Sequence, residues 1–431
     1  MPLVWLRRRS GDHSESGSMS GSDLPLAGVT VVDFSRLFPG NYGTLLLSSL
    51  GADVIKVEDT GRGDGIRDML VFPDQPQSAG HVVLNRGKRS ISVDLKSAEG
   101  QAVILKLIGQ ADVLVDSFRP GVLDRLGLGS EVLATTNPKL VHVSITAFGS
   151  TGGYQSRPAH DLNSVGYAGY LTLVKDSEGN ATMPRLQNAD LSAGMHTALA
   201  VLAGLRVVQR DGSGFRADIS MAETAASLLP MQLSTVAGTG QSPPSPDFLT
   251  GRLACYDLYE AADGGWITVA GLEAKFFVRM CELLGRPELA ELQYDPNRQD
   301  ELRDALAEIF ASEPRDHWMD LLAAQDTCVG PALSLTEALE QPHLVERGAV
   351  TTAKFSDGKA VDVFRVIPWE QRTDNGDHAP ELGEHSEAVL TAIGVTPQQV
   401  AELIARGVVR PAPSVSSRTR PAGTLRRNRA D

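Results

Sequence analysis

Four short stretches carry the residue types that acid–base or nucleophilic chemistry uses. Arg157-Pro158-Ala159-His160-Asp161-Leu162-Asn163 sets a histidine beside a carboxylate, between a glycine-rich loop (GSTGGY) and an apolar helix. Asn188-Ala189-Asp190-Leu191-Ser192 places a second carboxylate just before the apolar run MHTALAVLAGLRVVQ. Gly271-Leu272-Glu273-Ala274-Lys275 puts a third at the start of another helix, and Asn85-Arg86-Gly87-Lys88-Arg89-Ser90 is a basic turn entering the strand ISVDLK. Each has an ordinary structural use. A lone His-Asp pair is usually structural, Asp190 suits a helix N-cap, Glu273 is favoured in a first helical turn by the helix dipole, and a basic turn is commonly just solvated. Brought to one cleft, a histidine and a carboxylate could also move protons at a carbon acid, or the carboxylate could attack an electrophilic carbonyl.

The elements that must position these residues read as an α/β protein. VTVVDF is a buried strand, SRLFPGNYG a loop punctuated by Pro-Gly, TLLLSSLG a helix ending on Gly51, and ADVIKVE a second strand. SISVDL, DVLVDS and LVHVSIT follow as strands, alternating with helical stretches such as EGQAVILKLIGQ. That alternation predicts a doubly wound, mostly parallel, Rossmann-like sheet, although GxGxxG is absent after the first strand. The strand FRADISM and the helix AETAASLLPMQL come next, and Pro243–Pro246 marks a linker into a different texture. The expected layout is a disordered extension over 1–24, a large domain over 25–235, a smaller α+β domain over 236–343, a return to the large domain over 344–410 and a disordered basic tail over 411–431. The arginines of the first twenty residues follow rather than precede a short apolar run, the reverse of a secretory signal. A start at Met19 would remove most of that segment.

Composition narrows the classes. The 431 residues are 42% hydrophobic and 22% charged, as in ordinary globular proteins. A net charge of −13 argues against general affinity for nucleic acid or anionic membrane. It also requires that an anionic ligand be met by local basic residues. No window approaches the roughly 18 uninterrupted apolar residues of a membrane span. Cys255, Cys281 and Cys328 fit neither a disulfide framework nor a metal site and read as reduced core residues of a cytoplasmic protein. Arg119 and Arg125, in DVLVDSFRPGVLDRLGLG, fall at the carboxyl end of a strand, where ligands of doubly wound sheets bind.

PLAGVTVVDFSRLFPG, LGADVIKVE, LNRGKRSISVDLK, DVLVDSFRPGVLDRLGLG and NPKLVHVSITAFG, in this order, closely resemble the class III CoA-transferase superfamily (CaiB/BaiF-like), which includes the α-methylacyl-CoA racemases. The resemblance runs from about Leu26 to beyond Arg347. It implies an acyl-CoA substrate and an interlocked homodimer in which Glu273 can serve the site of the other subunit. It further implies coenzyme A contacts at Leu37 and Phe38, with Ser117, Phe118 and Arg125 near the nucleotide portion. Members often carry a basic residue directly after GADVIKVE; here it is Asp59, leaving Arg62 as a replacement or a different set of phosphate contacts. His160 and Glu273 resemble the racemases' G-H-D-I/L-N-Y and G-x-E-x-x-F segments, with Ala159 and Ser164 as departures. The racemase branch implies proton transfer by His160 and Asp190, with Glu273 orienting His160 and no metal or redox cofactor. The transferase branch implies an acyl-enzyme anhydride on Asp190. The long connection from Asp59 to Asn85 and SAGMH after Asp190 are closer to the transferases. The expectation is a racemase of 2-methylacyl-CoA thioesters, with CoA transfer as the alternative.

Overall fold

The computed structural model describes residues 24–175, 179–367 and 378–412; the expected N-terminal extension, to residue 23, and the tail from residue 413 lie outside these. The chain begins with β1 (Thr30–Phe34), α1 (Leu37–Ser49), β2 (Asp53–Glu58), α2 (Ala79–Asn85), β3 (Arg89–Val93), α3 (Ala98–Ile108) and β4 (Val113–Asp116). It continues through α4 (Val122–Arg125), α5 (Ser130–Thr136), β5 (Val141–Thr146), α6 (Asp161–Tyr167), α7 (Asn188–Asp211), β6 (Phe215–Ser220), α8 (Met221–Ala226) and α9 (Pro230–Thr239). A smaller group follows: β7 (Tyr256–Glu260), β8 (Trp266–Ala270), α10 (Ala274–Leu283), α11 (Gln299–Phe310), α12 (Arg315–Trp318) and β9 (Val329–Ala332). Then come α13 (Leu335–Glu340), α14 (Pro342–Glu346), β10 (Val350–Lys354), β11 (Ala360–Phe364), α15 (Ser386–Ala392), α16 (Pro397–Ala405) and β12 (Val409–Arg410).

The main sheet has the order β12-β3-β2-β1-β4-β5-β6. Strands β1 to β6 are parallel, and only β12 runs antiparallel, against β3. The strands carry apolar side chains toward both faces, which are covered as parallel sheets require, with buried polar groups such as Asp33, Lys56, Glu58 and Ser90 among them. Alternate residues of one strand point to opposite layers. Val32, Ile55 and Ile91 meet Ile104, Ile108 and Leu390 on one side, whereas Val31, Val54 and Val113 meet Leu46, Leu47 and Val201 on the other. Burying each such side chain contributes roughly 1.5–3 kcal/mol. The three-stranded sheet β7-β8-β9 has its own apolar cluster around Phe277, Phe310 and Trp318. The C-terminal segment comes back to the main sheet, with α15 and α16 on one face and β12 at its edge.

Three readings of the sequence need correction. Pro39 and Gly40 do not hold a loop open: α1 starts at Leu37, and Pro39 lies in the first turn, where a missing N–H costs nothing. AETAASLLPMQL is two helices, because Pro230 begins α9 rather than continuing α8. Cys328 is exposed, with Cys255 and Cys281 buried; it sits in a left-handed turn (φ 54°) just before β9. Helix α7 is long and apolar enough, by length and composition, to cross a membrane. Here its small residues Ala193, Gly194, Thr197 and Gly204 bury one face, packed on α1, α8, β5 and β6.

Candidate active site

The sheet order reverses between β1 and β4, whose chain ends lie side by side, Phe34 opposite Asp116. Such a switch point opens a crevice beyond the carboxyl ends of the strands. The two loops leaving it are tied together: the Arg36 N–H donates to Ser117 Oγ at 2.9 Å, and the rings of Phe34 and Phe118 lie 6.1 Å apart. Leu37 takes the left-handed conformation (φ 59°), which a branched residue adopts only when its surroundings enforce it. They do so through Asp64. Its Oδ1 accepts from the Leu37 N–H at 2.9 Å, while Oδ2 accepts from Asn41 at 2.7 Å and from Lys56 at 2.8 Å. Both members of the Lys56–Asp64 pair are buried. Lys88, beside Asp33 and Thr44, completes this polar floor, and burial lowers its ammonium pKa to about 7.

The second half of the site comes from the N-termini of α6 and α7. His160 precedes α6, its N–H donating to Asn163 Oδ1 at 3.1 Å, and its side chain is exposed. The loop leading to it is clasped by aromatic rings. Phe148 and Tyr154 both pack on Tyr167 at the end of α6, at 5.0 and 5.4 Å. Arg157 lies 3.6 Å over the Tyr154 ring and donates to the Tyr167 hydroxyl at 3.1 Å. Asp161 then reaches across to α7, where Oδ1 accepts from the N–H groups of Ala189 at 2.7 Å and Asp190 at 3.0 Å. Asp161, not Asp190, is therefore the cap of α7, and Asp190 occupies the helix's third position. Burial, followed by the nearby Asp161 charge, raises the Asp190 carboxyl from 3.8 to about 7. The helix dipole acts the other way, but at roughly 0.3–1 kcal/mol it is outweighed by desolvation, which can shift a buried acid by several units.

The predicted residues divide accordingly. Asp161, the chain neighbour of His160, ties the start of α6 to the start of α7, which carries Asp190. Leu37, Phe38, Ser117 and Phe118 line the mouth of the β1–β4 crevice, and Arg125 is exposed at the end of α4, its guanidinium beside Gly121. Arg62 is paired with Asp68 at 2.8 Å, its side chain 85% exposed. Glu273 is exposed at the N-terminus of α10. It sits in the surroundings of Cys328, whose thiol is pushed up by burial and by that carboxylate. Among the described residues it has no hydrogen bond or ion pair with His160 or Asp190. Sequence reasoning named Asp161 only as the neighbour of His160, not as the cap of α7, and did not single out Arg36 or the aromatic clasp. It also missed the cavity at the ends of β4, β5 and β6, lined by Phe118, Arg119, Ser144, Thr146 and Arg216. There Thr146 Oγ1 is shielded from solvent without a hydrogen-bond partner among the described residues. No spacing rule links Asp161 to position 190; only the fold does.

A carboxyl raised toward neutral pH can exchange protons with a carbon acid; ionised, the same carboxylate can attack a carbonyl. Known proteins with this architecture include both chemistries. The chain is 31% identical to the α-methylacyl-CoA racemase of Mus musculus over 387 residues, 88% of this chain and 96% of the racemase. It is 32% identical to the acetyl-CoA:oxalate CoA-transferase of Acetobacter aceti over 333 residues, 75% of this chain and 84% of the transferase. Among solved structures, a CAIB/BAIF family protein from Brucella suis superposes with a TM-score of 0.73 at 27% identity, covering 86% of this chain and 99% of its own. The profile of CoA-transferase family III matches residues 26–386, a span holding β1 to β6 and every site residue named above, and the chain belongs to that family.

Proposed function

We propose that this chain inverts the α-carbon of 2-methylacyl-CoA thioesters by proton transfer between His160 and Asp190. The observation that carries this reading is the Asp190 carboxyl at about 7, at a helix end bound by Asp161, the residue that follows His160. A general acid–base works best when its pKa lies near the operating pH. A carboxylate nucleophile gains nothing from being half protonated there. Inversion needs a base on one face of the carbon and an acid on the other; two such groups can exchange roles as the direction reverses. Proton transfer of this kind calls on no metal or redox group.

Coenzyme A would lie across the β1–β4 crevice, with Ser117, Phe118 and Arg125 toward its nucleotide. The shielded Thr146 hydroxyl, unpartnered among the described residues, suits a polar ligand in the adjoining cavity. The protein would act in the cytoplasm as an interlocked homodimer, residues 236–343 of one copy bringing Glu273 to His160 of the other. The exposed apolar faces of α7 and α9, including Leu199 at 61% and Leu233 at 58%, support a second copy there.

Transfer of CoA through an aspartyl anhydride at Asp190 is the second reading. It is favoured by the long Asp59–Asn85 connection, which carries the 3-10 turn Gly65–Asp68 and α2. Incubation of a 2-methylacyl-CoA in D₂O without an acceptor acid separates the two. A racemase exchanges the α-proton, and His160→Ala abolishes that exchange. Near-normal exchange by the variant would remove His160 from the mechanism. Absence of exchange by the wild type, with hydroxylamine trapping an acyl group at Asp190, would establish the transferase instead.

A further inference from the structure

We infer that Arg36 is the cation that receives a phosphate group of the coenzyme A portion, at the position where Asp59 supplies no positive charge; this rests on the acyl-CoA reading above. A protein of net charge −13 must meet an anionic ligand with a local cation. Arg36 stands at the switch point itself, on the loop leaving β1 and bonded to the loop leaving β4. Its backbone is held on both sides. Its own N–H is anchored on Ser117 Oγ at 2.9 Å, and the next N–H, of Leu37, on the buried Asp64 at 2.9 Å. The guanidinium carbon lies 5.5 Å from the centroid of the Phe118 ring. A guanidinium over a ring keeps its in-plane N–H donors available for the paired oxygens of a phosphate.

Its one carboxylate partner among the described residues is held loosely. Arg36 and Asp59 are 3.9 Å apart, with side chains 49% and 46% exposed, a separation and exposure at which an ion pair is weak. Asp59 is otherwise engaged in shaping its own loop: Oδ1 accepts from the N–H groups of Gly61 at 2.8 Å and Arg62 at 3.0 Å. So weak a pair leaves the Arg36 guanidinium open to a phosphate group at the crevice. Arg62 is the poorer candidate, because its guanidinium is already bound to Asp68 at 2.8 Å and stands in solvent.

Calorimetric binding of CoA, 3′-dephospho-CoA and phosphate-free pantetheine to the full-length protein tests this. Arg36→Ala should weaken CoA binding roughly tenfold or more, as expected for loss of charge-assisted hydrogen bonds, and should leave pantetheine binding unchanged. Arg36→Lys should retain part of the affinity, and Arg62→Ala should lose less than Arg36→Ala. Asp59→Asn keeps the oxygen that caps the loop but removes the competing charge, and should tighten CoA binding. If Arg36→Ala binds dephospho-CoA as well as the wild type does, the target is the 3′-phosphate; a loss that persists makes it the diphosphate. CoA binding by Arg36→Ala within about twofold of wild type overturns the assignment, as does an equal loss for pantetheine. A wild-type protein that binds no CoA overturns both this inference and the acyl-CoA reading.

Discussion

Two influences, burial and the Asp161 charge, raise the Asp190 carboxyl together, and the contact with Asp161 allows them to be separated. Asp161→Asn retains an oxygen for the Ala189 and Asp190 amides while removing the charge, so the Asp190 pKa should fall part of the way, burial being the larger cause. The acid limb of the pH–rate profile for α-proton exchange should move to lower pH, with the protein still folded. Asp161→Ala should in addition lose the cap, about 1 kcal/mol of stability. An unmoved acid limb in the Asn variant would show that another group titrates there. Stability gives an independent reading. The carboxyl titrates near 3.8 in the unfolded chain and near 7 in the folded one, so between these values the native state binds the extra proton. Stability therefore falls as pH rises through that window and levels off above it. Asp190→Asn, which mimics the protonated acid, should match the wild type in urea unfolding only near pH 3.5, below the unfolded-chain value, and exceed it progressively above that. Near pH 8.5 it should exceed the wild type by on the order of 1–3 kcal/mol, because each tenfold change in proton affinity is worth about 1.4 kcal/mol and partial solvent access reduces the total.

At the scale of elements, the site depends on how closely α1 and α7 approach. A Cβ at Gly194 would lie 2.8 Å from both Pro39 O and Tyr42 Cδ1, and one at Gly43 would lie 2.9 Å from Gly194 O. The two helices meet backbone to backbone, about one turn beyond Asp190 on α7 and within two turns of Leu37 on α1. Gly194→Val should therefore destabilise the protein by about 1–3 kcal/mol, the usual range for overpacking. By tilting α1 it should raise KM for the thioester as well; an unchanged Tm and KM would mean that the contact relaxes freely. This packing also explains why the region was hard to read. The glycines and proline of SRLFPGNYG carry the signature of a loop, but Pro39 uses a helix position that needs no N–H, and Gly43 answers a partner helix 151 positions away. The strands were legible because their apolar runs reflect burial on both faces. The Asp161 cap and the Lys56–Asp64 pair join segments far apart in sequence, so no local pattern announces them.

For the whole molecule, the unanswered element is Glu273. Its sequence context matches the racemase pattern, yet within one chain it stands near Cys328 and Lys275 rather than beside His160. Helix α7 meanwhile presents Met195, Leu199 and Leu202 to solvent, at 42%, 61% and 38% exposure, on the face opposite its buried glycines. Both features fit the proposed dimer, in which a second copy covers α7 and lends its own α10 to the site. Co-expression of two differently tagged chains tests this arrangement directly, one carrying Glu273→Ala and the other His160→Ala, with the mixed dimer isolated through both tags. If Glu273 acts across the interface, one of the two sites receives an intact His160, Asp190 and Glu273, while the other receives both defects. The mixed dimer should then recover about half of the wild-type exchange rate, the share expected for one intact site in two of independent function. If Glu273 acts within its own chain, each site carries one defect and the mixed dimer stays as inactive as its parents. A monomer by light scattering would dispose of the arrangement altogether.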